Sequence, residues 1–475
     1  MNKNLLAAML AVALAGCSLT PDYQRPAAPV AAAWPDNAKP NGTRRVADTD
    51  WQRYYPDPRL QALISTALEN NRDLRIATAR IAEARAQYGI QQADRLPNFN
   101  VTAGRNASLT PAGASGFTPN AIHSQRYDVA ISLVSFELDF WGRVASLSEA
   151  AKATYLATEA AQRAFRLSLI ADVANAYLSL LELRERAQLA AETAKTRAET
   201  RELTLRRRDL GVASELDFLQ ADGAYQAAVA ERANLERQEA AAANLLDTLV
   251  GQPVTQMRDL PAARRLAEQD ITPDLIAGLP AEVLLQRPDV LAAEQRLIAA
   301  NANIGAARAA FLPRITLTGS VGTASRTLAG LFDAGSGAWS FQPALTQPLF
   351  DAGRTSANVD VAEARKVIAV ADYEKTIQQA FREVADLLNA REKLAEQLAA
   401  QQANADAQDR RLKLVEARYG VGIASHLEVL DAQREAFAAQ QGVLQVRRTL
   451  LSAAAQLYKA LAGQGSADAQ QIASK

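Results

Sequence analysis

An internal repeat is the strongest constraint on the fold of this chain. Residues 73–97 align without a gap with residues 289–313, and residues 142–214 align in the same way with residues 353–425. Each copy therefore covers roughly 210 residues, much longer than the unit of a solenoid. The sequence predicts two copies of one structural half.

Two long stretches of the chain lack the main helix breaker. No proline occurs between Pro119 and Pro253 or after Pro348. Between residues 144 and 210, apolar residues recur at helical spacing along two stripes. A helix of about 65 residues is roughly 100 Å long, far more than a compact domain of this size accommodates. Two stripes predict helical neighbours on both sides, as in a wall of helices, whereas the alternative of a dimeric coiled coil would need one stripe.

Four short segments alternate between apolar and polar residues and predict strands. They are 98–103, 127–133, 315–321 and 339–349, joined in pairs by loops at 106–124 and 325–336. Each approaches the 9 to 11 residues that cross a bilayer as a tilted strand, but membrane barrels start at about eight strands. Several protomers would then have to share one barrel; a soluble four-stranded sheet is the alternative. Pro343 and Pro348 place the last strand at an edge or a kink.

The N-terminus predicts a secretory signal peptide over residues 1–16, with Lys3 followed by a short apolar segment. The sequence Leu14-Ala15-Gly16-Cys17 resembles a bacterial lipobox. That resemblance implies that Cys17 becomes the N-terminus and carries diacylglyceryl and N-acyl lipid. The alternative is a small apolar residue near an ordinary cleavage site. Ser18 after the cysteine suggests, by the same resemblance, an outer-membrane destination, and the proline-rich residues 18–50 predict an extended arm.

Composition excludes several functional classes. The formal net charge is zero, which gives no basic field for nucleic acid. One cysteine and two histidines exclude a disulfide framework and leave little for a metal site. No apolar run of 18 residues follows the N-terminus, so we expect no spanning helix in the mature chain. Walker A, HExxH and G-x-S-x-G motifs are absent, which predicts that the chain is not an enzyme and, beyond its lipid, has no cofactor.

With these features in place, the chain resembles the TolC-like outer membrane factors, in particular the lipidated members that serve RND-type tripartite multidrug efflux pumps. The sequence GLPAEVLLQRPDV at residues 278–290, followed by FLP at 311–313, is similar to the family's signature at the start of the second repeat. The sequences RYGVG at 418–422 and LEVLDAQ at 427–433 are similar to the family's periplasmic tip.

The resemblance implies an α+β membrane protein. Its homotrimer would form one twelve-stranded outer-membrane β-barrel, with four strands from each protomer, continuous with a periplasmic α-barrel of twelve helices. Segments 44–58 and 251–280 and the C-terminal helix would form a belt around the α-barrel. The implied partners are a periplasmic adaptor (membrane fusion) protein, an inner-membrane RND-type pump and outer-membrane lipid. The implied location is the outer membrane of a Gram-negative cell, with extension into the periplasm.

Repeat and resemblance together divide the chain into ten segments. In order, they are the signal peptide (1–16), lipidated arm and belt segment (17–58), first-repeat helix (59–97), first β-hairpin (98–139), first long helical hairpin (140–250), equatorial linker (251–281), second-repeat helix (282–313), second β-hairpin (314–350), second long helical hairpin (351–463) and polar tail (464–475).

The resemblance also implies passive conduction with a gate at the periplasmic tip, where Gly211 and Gly422 mark the helix turns. Leu427 would face inward as an apolar constriction, and Asp431 one turn further on would form a ring of three carboxylates that disfavours anions and binds divalent cations. The alternatives are a helix-core leucine and a solvated carboxylate. The first repeat has Gln220 where the second has Asp431, so the ring would have three members rather than six.

Arg418 and Tyr419 resemble family residues that tie the inner helices to the neighbouring turn. Asp217 would accept the link from Arg418, although other acidic residues compete for it: Asp209, Glu215 and Glu428.

Two other functions remain open at this point. The same family supplies the exit channels of type I protein secretion, and a lipid-anchored periplasmic coiled-coil scaffold would need no pore at all. Lipidation favours the efflux channel.

Overall fold

The structure is a computed structural model that describes residues 19–34, 44–45, 50–113, 120–271, 275–276 and 284–461. The predicted signal peptide, Cys17 and the predicted tail at 464–475 lie outside the described residues, as do residues 278–283 of the signature sequence.

The two repeats form matching elements. The first repeat contains helices α1 (Pro58–Asn70) and α2 (Arg72–Ala93), strands β1 (Phe99–Thr110) and β2 (Ile122–Glu137), and helices α3 (Arg143–Asp209) and α4 (Glu215–Val250). The second contains helix α5 (Pro288–Ala309), strands β3 (Arg314–Ser325) and β4 (Gly337–Thr346), and helices α6 (Arg354–Gly420) and α7 (His426–Leu461). The paired helices have equal lengths: 22 residues in α2 and α5, 67 in α3 and α6, and 36 in α4 and α7. The duplication and the order of elements predicted from the sequence are therefore confirmed.

The segment predicted as one helix over 59–97 is in fact two helices. Asn71, which is buried, separates α1 from α2. Its side-chain oxygen accepts a hydrogen bond from the backbone NH of Leu74 at 2.9 Å, and its side-chain nitrogen donates to the carbonyl of Leu249 at 2.9 Å. Asparagine is a favoured residue at a helix N-terminus because its side-chain oxygen accepts a hydrogen bond from a free backbone NH. Asn71 therefore starts a new helix, although the apolar pattern of the sequence continues through it.

The remaining regular structure is short. A helix at Trp51–Tyr54 precedes α1, and 3-10 turns lie at Val254–Gln256, Leu266–Glu268 and Ala329–Phe332. Arg44–Arg45 pairs in parallel with Leu275–Ile276, which joins the two segments predicted to form the belt.

The four long strands form one antiparallel sheet in the order β1-β2-β3-β4. The first loop is shorter than predicted, because β1 continues to Thr110 and β2 starts at Ile122. Strand β4 ends at Thr346, short of the predicted Leu349, and Pro348 beyond it has no NH to extend the ladder. Pro343 lies in β4 at an edge of the sheet, as the sequence predicted.

The two faces of the sheet differ in chemistry. The register aligns one apolar row across all four strands, namely Val101, Ile131, Val321 and Trp339. The adjacent row consists of Asn100, Ser132, Ser320 and Ser340. Charges on this polar face are matched, since Arg126 lies 3.8 Å from Asp128 and Arg314 lies 2.6 Å from Glu137. Val101 and Trp339 are 75% and 79% exposed, so none of the described residues covers the apolar face there.

The chain divides into two compact units, each assembled from both repeats. The first comprises the described residues up to Ala27, Arg80–Glu159 and Ala292–Tyr373; the second comprises the described residues of Ala28–Ala79, Ala160–Leu291 and Glu374–Leu461. The core of the first unit is rich in alanine, with Ala150, Ala153, Ala299 and Ala302 in one cluster. In the second, Leu183, Ala187, Ala190 and Leu235 pack together.

The N-terminal arm is bonded to the first unit. The hydroxyls of Thr20 and Ser146 lie 3.0 Å apart, and the Asn301 side chain donates to the carbonyl of Pro21 at 2.7 Å. Arg25 donates twice to the carboxylate of Glu294, at 2.7 and 2.9 Å. The described arm residues 19–34 form no helix or strand, yet these side-chain bonds hold the segment from Thr20 to Arg25 in place.

One helix in the described part of the chain, α3, is long and apolar enough to cross a membrane by length and composition. Its best 18-residue window has a mean hydropathy of 1.3, with 56% of that window buried in the structure. The sequence-based expectation of no spanning helix considered only uninterrupted apolar runs, and this criterion misses a helix such as α3, in which polar residues interrupt the apolar ones. The evidence for a span is weak, because a core helix meets the same criteria.

Candidate functional site

The candidate site consists of the two turns that follow the long helices α3 and α6. Gly211 has a φ of +75° and Gly422 a φ of +79°, the left-handed conformation that glycine adopts without strain. In the first turn the NH of Val212 donates to the carbonyl of Arg207 at 2.8 Å; in the second the NH of Ile423 donates to the carbonyl of Arg418 at 2.9 Å. Each long helix therefore ends in the same glycine-dependent cap.

A serine begins each returning helix. Ser214 and Asp217 form a capping box, in which the NH of Asp217 donates to the Ser214 hydroxyl at 3.1 Å and the NH of Ser214 donates to the Asp217 carboxylate at 3.0 Å. Ser425 and Glu428 form the same arrangement at 3.2 and 3.0 Å. These hydrogen bonds favour the ionised acids and lower the pKa of both Asp217 and Glu428.

Asp431 is bound by two arginines. Arg411 on α6 donates to one carboxylate oxygen at 2.8 Å, and Arg434, one turn further along α7, donates to the other at 2.5 Å. The carboxylate is about one-third exposed, so it is neither buried nor freely solvated. The ring of carboxylates remains a prediction. In such a ring, each Asp431 would be paired with two arginines of its own chain.

Leu427 is 59% exposed, which excludes the alternative of a leucine in the core of this chain. The equivalent residue of the first repeat, Leu216, is 63% exposed. Both lie in the first turn of a returning helix, so each repeat presents an uncovered leucine at the same place. The inward orientation proposed for Leu427 remains a prediction.

Tyr419 joins the second repeat to the first, through a partner that the sequence did not indicate. The guanidinium of Arg207 donates to the Tyr419 hydroxyl at 3.0 Å. Within the described residues, no hydrogen bond or ion pair joins Arg418 to Asp217, whose carboxylate is bonded to Ser214. The competing acceptors are also engaged inside the chain, Asp209 and Glu215 by Arg208. An Arg418–Asp217 link stays a prediction.

His426, the first residue of α7, lies beside the Tyr419 link. It is 9% exposed, and its ring centroid lies 5.6 Å from that of Tyr419. Within the part of the chain that the structure describes, neither ring nitrogen has a hydrogen-bond partner. Burial lowers the pKa of His426; Asp217 opposes this shift and Arg207 adds to it.

Sequence analysis missed Arg207, Arg411, Arg434 and His426. The repeat offers a signal for Arg207, since it lies four residues before Gly211 just as Arg418 lies four before Gly422. Arg434 lies three residues after Asp431 on the same helix, a spacing that the sequence also offers, whereas the contacts of Arg411 and His426 join different helices and no local pattern encodes them. Among the described residues, no group of three or more His, Cys, Asp or Glu could hold a metal ion.

The fold and the duplicated turns define a family. The model of the outer membrane efflux protein family matches residues 63–252 and 279–463, one match in each repeat, and the chain belongs to that family. The toluene efflux pump outer membrane protein TtgF of Pseudomonas putida is 44% identical over 479 residues, which cover 98% of this chain and 97% of that protein. Outer membrane protein OprJ of Pseudomonas aeruginosa is 44% identical, with 96% of this chain and 95% of that protein covered.

A solved structure shows the same fold at high identity. The open state of the MtrE outer membrane channel of Neisseria gonorrhoeae matches with a TM-score of 0.84 and 40% identity, over 94% of this chain and 98% of that one. The resemblance drawn from the sequence motifs is confirmed. The chain is an outer-membrane efflux channel of the Gram-negative cell envelope and not an enzyme.

Proposed function

We propose that three copies of this chain form the passive exit duct of a tripartite efflux pump, gated at the turns after α3 and α6. The two-faced sheet carries the proposal. Its apolar face is exposed and its other face is polar, which suits lipid on one side and water on the other. Membrane barrels start at about eight strands, so four strands close only with strands from other copies, and three copies supply twelve.

The gate would combine a leucine and an acid on one face of α7. A ring of Leu427 side chains narrows the pore and favours closure by dewetting, while Asp431 one turn later sets the charge at the entrance. The exposure of Leu427 and the position of both residues just after a turn support this role.

The turns are also the surface that we assign to the periplasmic adaptor. Each turn exposes two apolar side chains at matching positions, Leu210 and Val212 in the first and Val421 and Ile423 in the second. Three copies would offer six such turns, whose exposed apolar side chains the adaptor would cover. An inner-membrane pump of the RND type would drive the transport.

We propose toxic small organic molecules as cargo, on the basis of relatives named for toluene efflux and for antibiotic efflux. Lipid on Cys17 would anchor the arm in the outer membrane, and Thr20, only three residues later, is already held against Ser146. Replacing Cys17 with serine should abolish incorporation of labelled palmitate, and retained label would remove this assignment.

The experiment for the duct uses the purified full-length protein. Chemical cross-linking should give a trimer, and planar bilayers should show discrete ion conductance. A strain that lacks its own channel should regain solvent and antibiotic resistance when this chain is expressed with its pump and adaptor. A monomer without conductance would contradict the proposal and favour a scaffold.

A further inference from the structure

His426 is an unusual residue for the place it occupies. It is nine-tenths buried at the start of α7, and neither ring nitrogen has a hydrogen-bond partner among the described residues. Buried polar atoms are nearly always hydrogen-bonded, so an imidazole with two unpaired nitrogens calls for an explanation. Histidine is also the side chain whose ordinary pKa lies within the pH range that a periplasm experiences.

The groups around His426 come from three other helices. Arg207 of α3 and Asp217 of α4 are its charged neighbours, and Tyr419 of α6 packs its ring against the imidazole. On its own helix, Glu428 is nearby in sequence, but its carboxylate is bonded to Ser425. The imidazole of His426 thus lies beside Tyr419, which accepts a hydrogen bond from Arg207 of the first repeat.

A proton on His426 would place a second cation beside Arg207. The attraction of Asp217 outweighs this repulsion, but burial of the ring, with no hydrogen-bond partner among the described residues, disfavours the charged form more strongly than either neighbour affects it. The packed arrangement therefore stabilises the neutral imidazole, whereas the imidazolium is more stable when the ring moves into water.

We propose that His426 is an acid sensor of the gate: its protonation expels the imidazolium from its place beside Arg207, breaks the Arg207–Tyr419 hydrogen bond and favours the open channel. This inference rests on the proposed gate at the turns. In a trimer the three sensors would act on one pore.

The direction of the pH effect follows from the lowered pKa of His426 in the packed state. An opened turn exposes the ring and returns its pKa towards about 6.5, so the opened state binds more protons. The closed state is therefore fully favoured above about pH 6.5 and loses that advantage as the pH falls below it.

The test is single-channel recording of the full-length protein in planar bilayers between about pH 7.5 and pH 5.5, a window in which an ordinary carboxyl group stays ionised. His426→Asn cannot gain charge, and His426→Arg is always charged. His123→Asn is the matched control, because His123 is the second of the chain's two histidines and lies in β2. A heat-modifiable trimer on gels shows that each variant is assembled.

We expect conductance of the wild type and of His123→Asn to rise several-fold on acidification, His426→Asn to stay at its neutral level, and His426→Arg to show the acid level already at neutral pH. A His426→Asn response equal to wild type, or a wild type insensitive to pH, overturns the sensor. If His426→Arg does not assemble, the comparison of His426→Asn with His123→Asn decides. The double variant Leu427→Ser/Asp431→Asn separates the two hypotheses. If its conductance at neutral pH equals that of the wild type, the gate itself is contradicted. If its conductance is raised but His426→Asn responds to pH as the wild type does, only the sensor is contradicted.

Discussion

Arg411 on α6 and Asp431 on α7 are joined by a hydrogen bond of 2.8 Å, and Arg434 occupies the other oxygen of the same carboxylate. An acid at a pore entrance attracts cations only to the extent that its charge is free. In this arrangement the two guanidinium groups offset that charge, so a ring of Asp431 residues would be a weaker cation site than its sequence suggests.

Arg411→Gln should therefore strengthen divalent block. Removing one exposed partner frees part of the Asp431 charge. Exposed pairs of this kind are worth about 0.2–1 kcal/mol, which corresponds to a blocking concentration lower by a factor of roughly 1.4 to 5. Titration of channel current with Mg²⁺ measures this. Lys413→Gln, which removes the partner of Asp409 on the same helix, is the control and should leave block unchanged. Equal block in Arg411→Gln and wild type would show that Asp431 does not face the ions.

Leu427→Ser should raise single-channel conductance at neutral pH, because a hydroxyl in the narrow ring keeps water in the pore. Leu216→Ser is the matched control, since Leu216 holds the equivalent place in the first repeat and is equally exposed. If both variants conduct alike and above wild type, both leucines line the pore; if neither differs from wild type, the constriction lies elsewhere.

Gly305→Ala and its repeat partner Gly89→Ala should shift stability in opposite directions. A Cβ on Gly305 would clash with the Thr20 hydroxyl, whereas no atom of the described residues lies within 4 Å of a Cβ on Gly89. Overpacking costs roughly 1–3 kcal/mol, while alanine in place of a helical glycine gains about 0.5–1 kcal/mol.

Limited chymotrypsin digestion reports the arm separately from global stability, since Arg25 is followed by Pro26 and trypsin does not cleave an Arg–Pro bond. Cleavage after Tyr23 should be faster in Gly305→Ala, because displaced Thr20 loosens the arm, and unchanged in Gly89→Ala. Equal digestion of both variants would mean that other arm contacts, among them the Arg25–Glu294 pair, hold the arm without Thr20.

Arg287→Met should destabilise the second unit. The buried guanidinium donates to Asp289 at 2.8 Å, to Glu383 at 2.9 Å and to the carbonyl of Ala460 at 2.9 Å. Methionine fills a similar volume but leaves a buried carbonyl unpaired, at a cost of about 1–3 kcal/mol. The temperature at which the assembled protein dissociates on gels should fall, while Arg382→Met, an exposed arginine on α6, should match wild type. An equal temperature for both variants would contradict this role of Arg287.

The sequence predicts the long helices well because their ends depend on local chemistry. Gly211 and Gly422 adopt the one conformation that ends a helix in this way, and each is followed three residues later by a serine that starts the next helix. Strand faces follow equally from alternation. The break at Asn71 was missed because the apolar pattern continues through it, and only the carbonyl of Leu249, far along the chain, shows why the side chain turns inward.

The site was less predictable for a related reason. Arg207 and Tyr419 are more than 200 residues apart, and their contact depends on the relative rotation of two long helices, which no short motif records. The resemblance supplied Leu427 and Asp431, but not the arginines that accompany Asp431 or the histidine beside Tyr419.

The polar face of the sheet carries hydroxyl and amide groups, and its charges are matched within the chain. In the proposed duct, a solute that passes this wall would exchange water for similar hydroxyl and amide contacts, so the wall would offer no preferred binding place to any one structure. We expect one such channel to serve cargoes of unrelated structure.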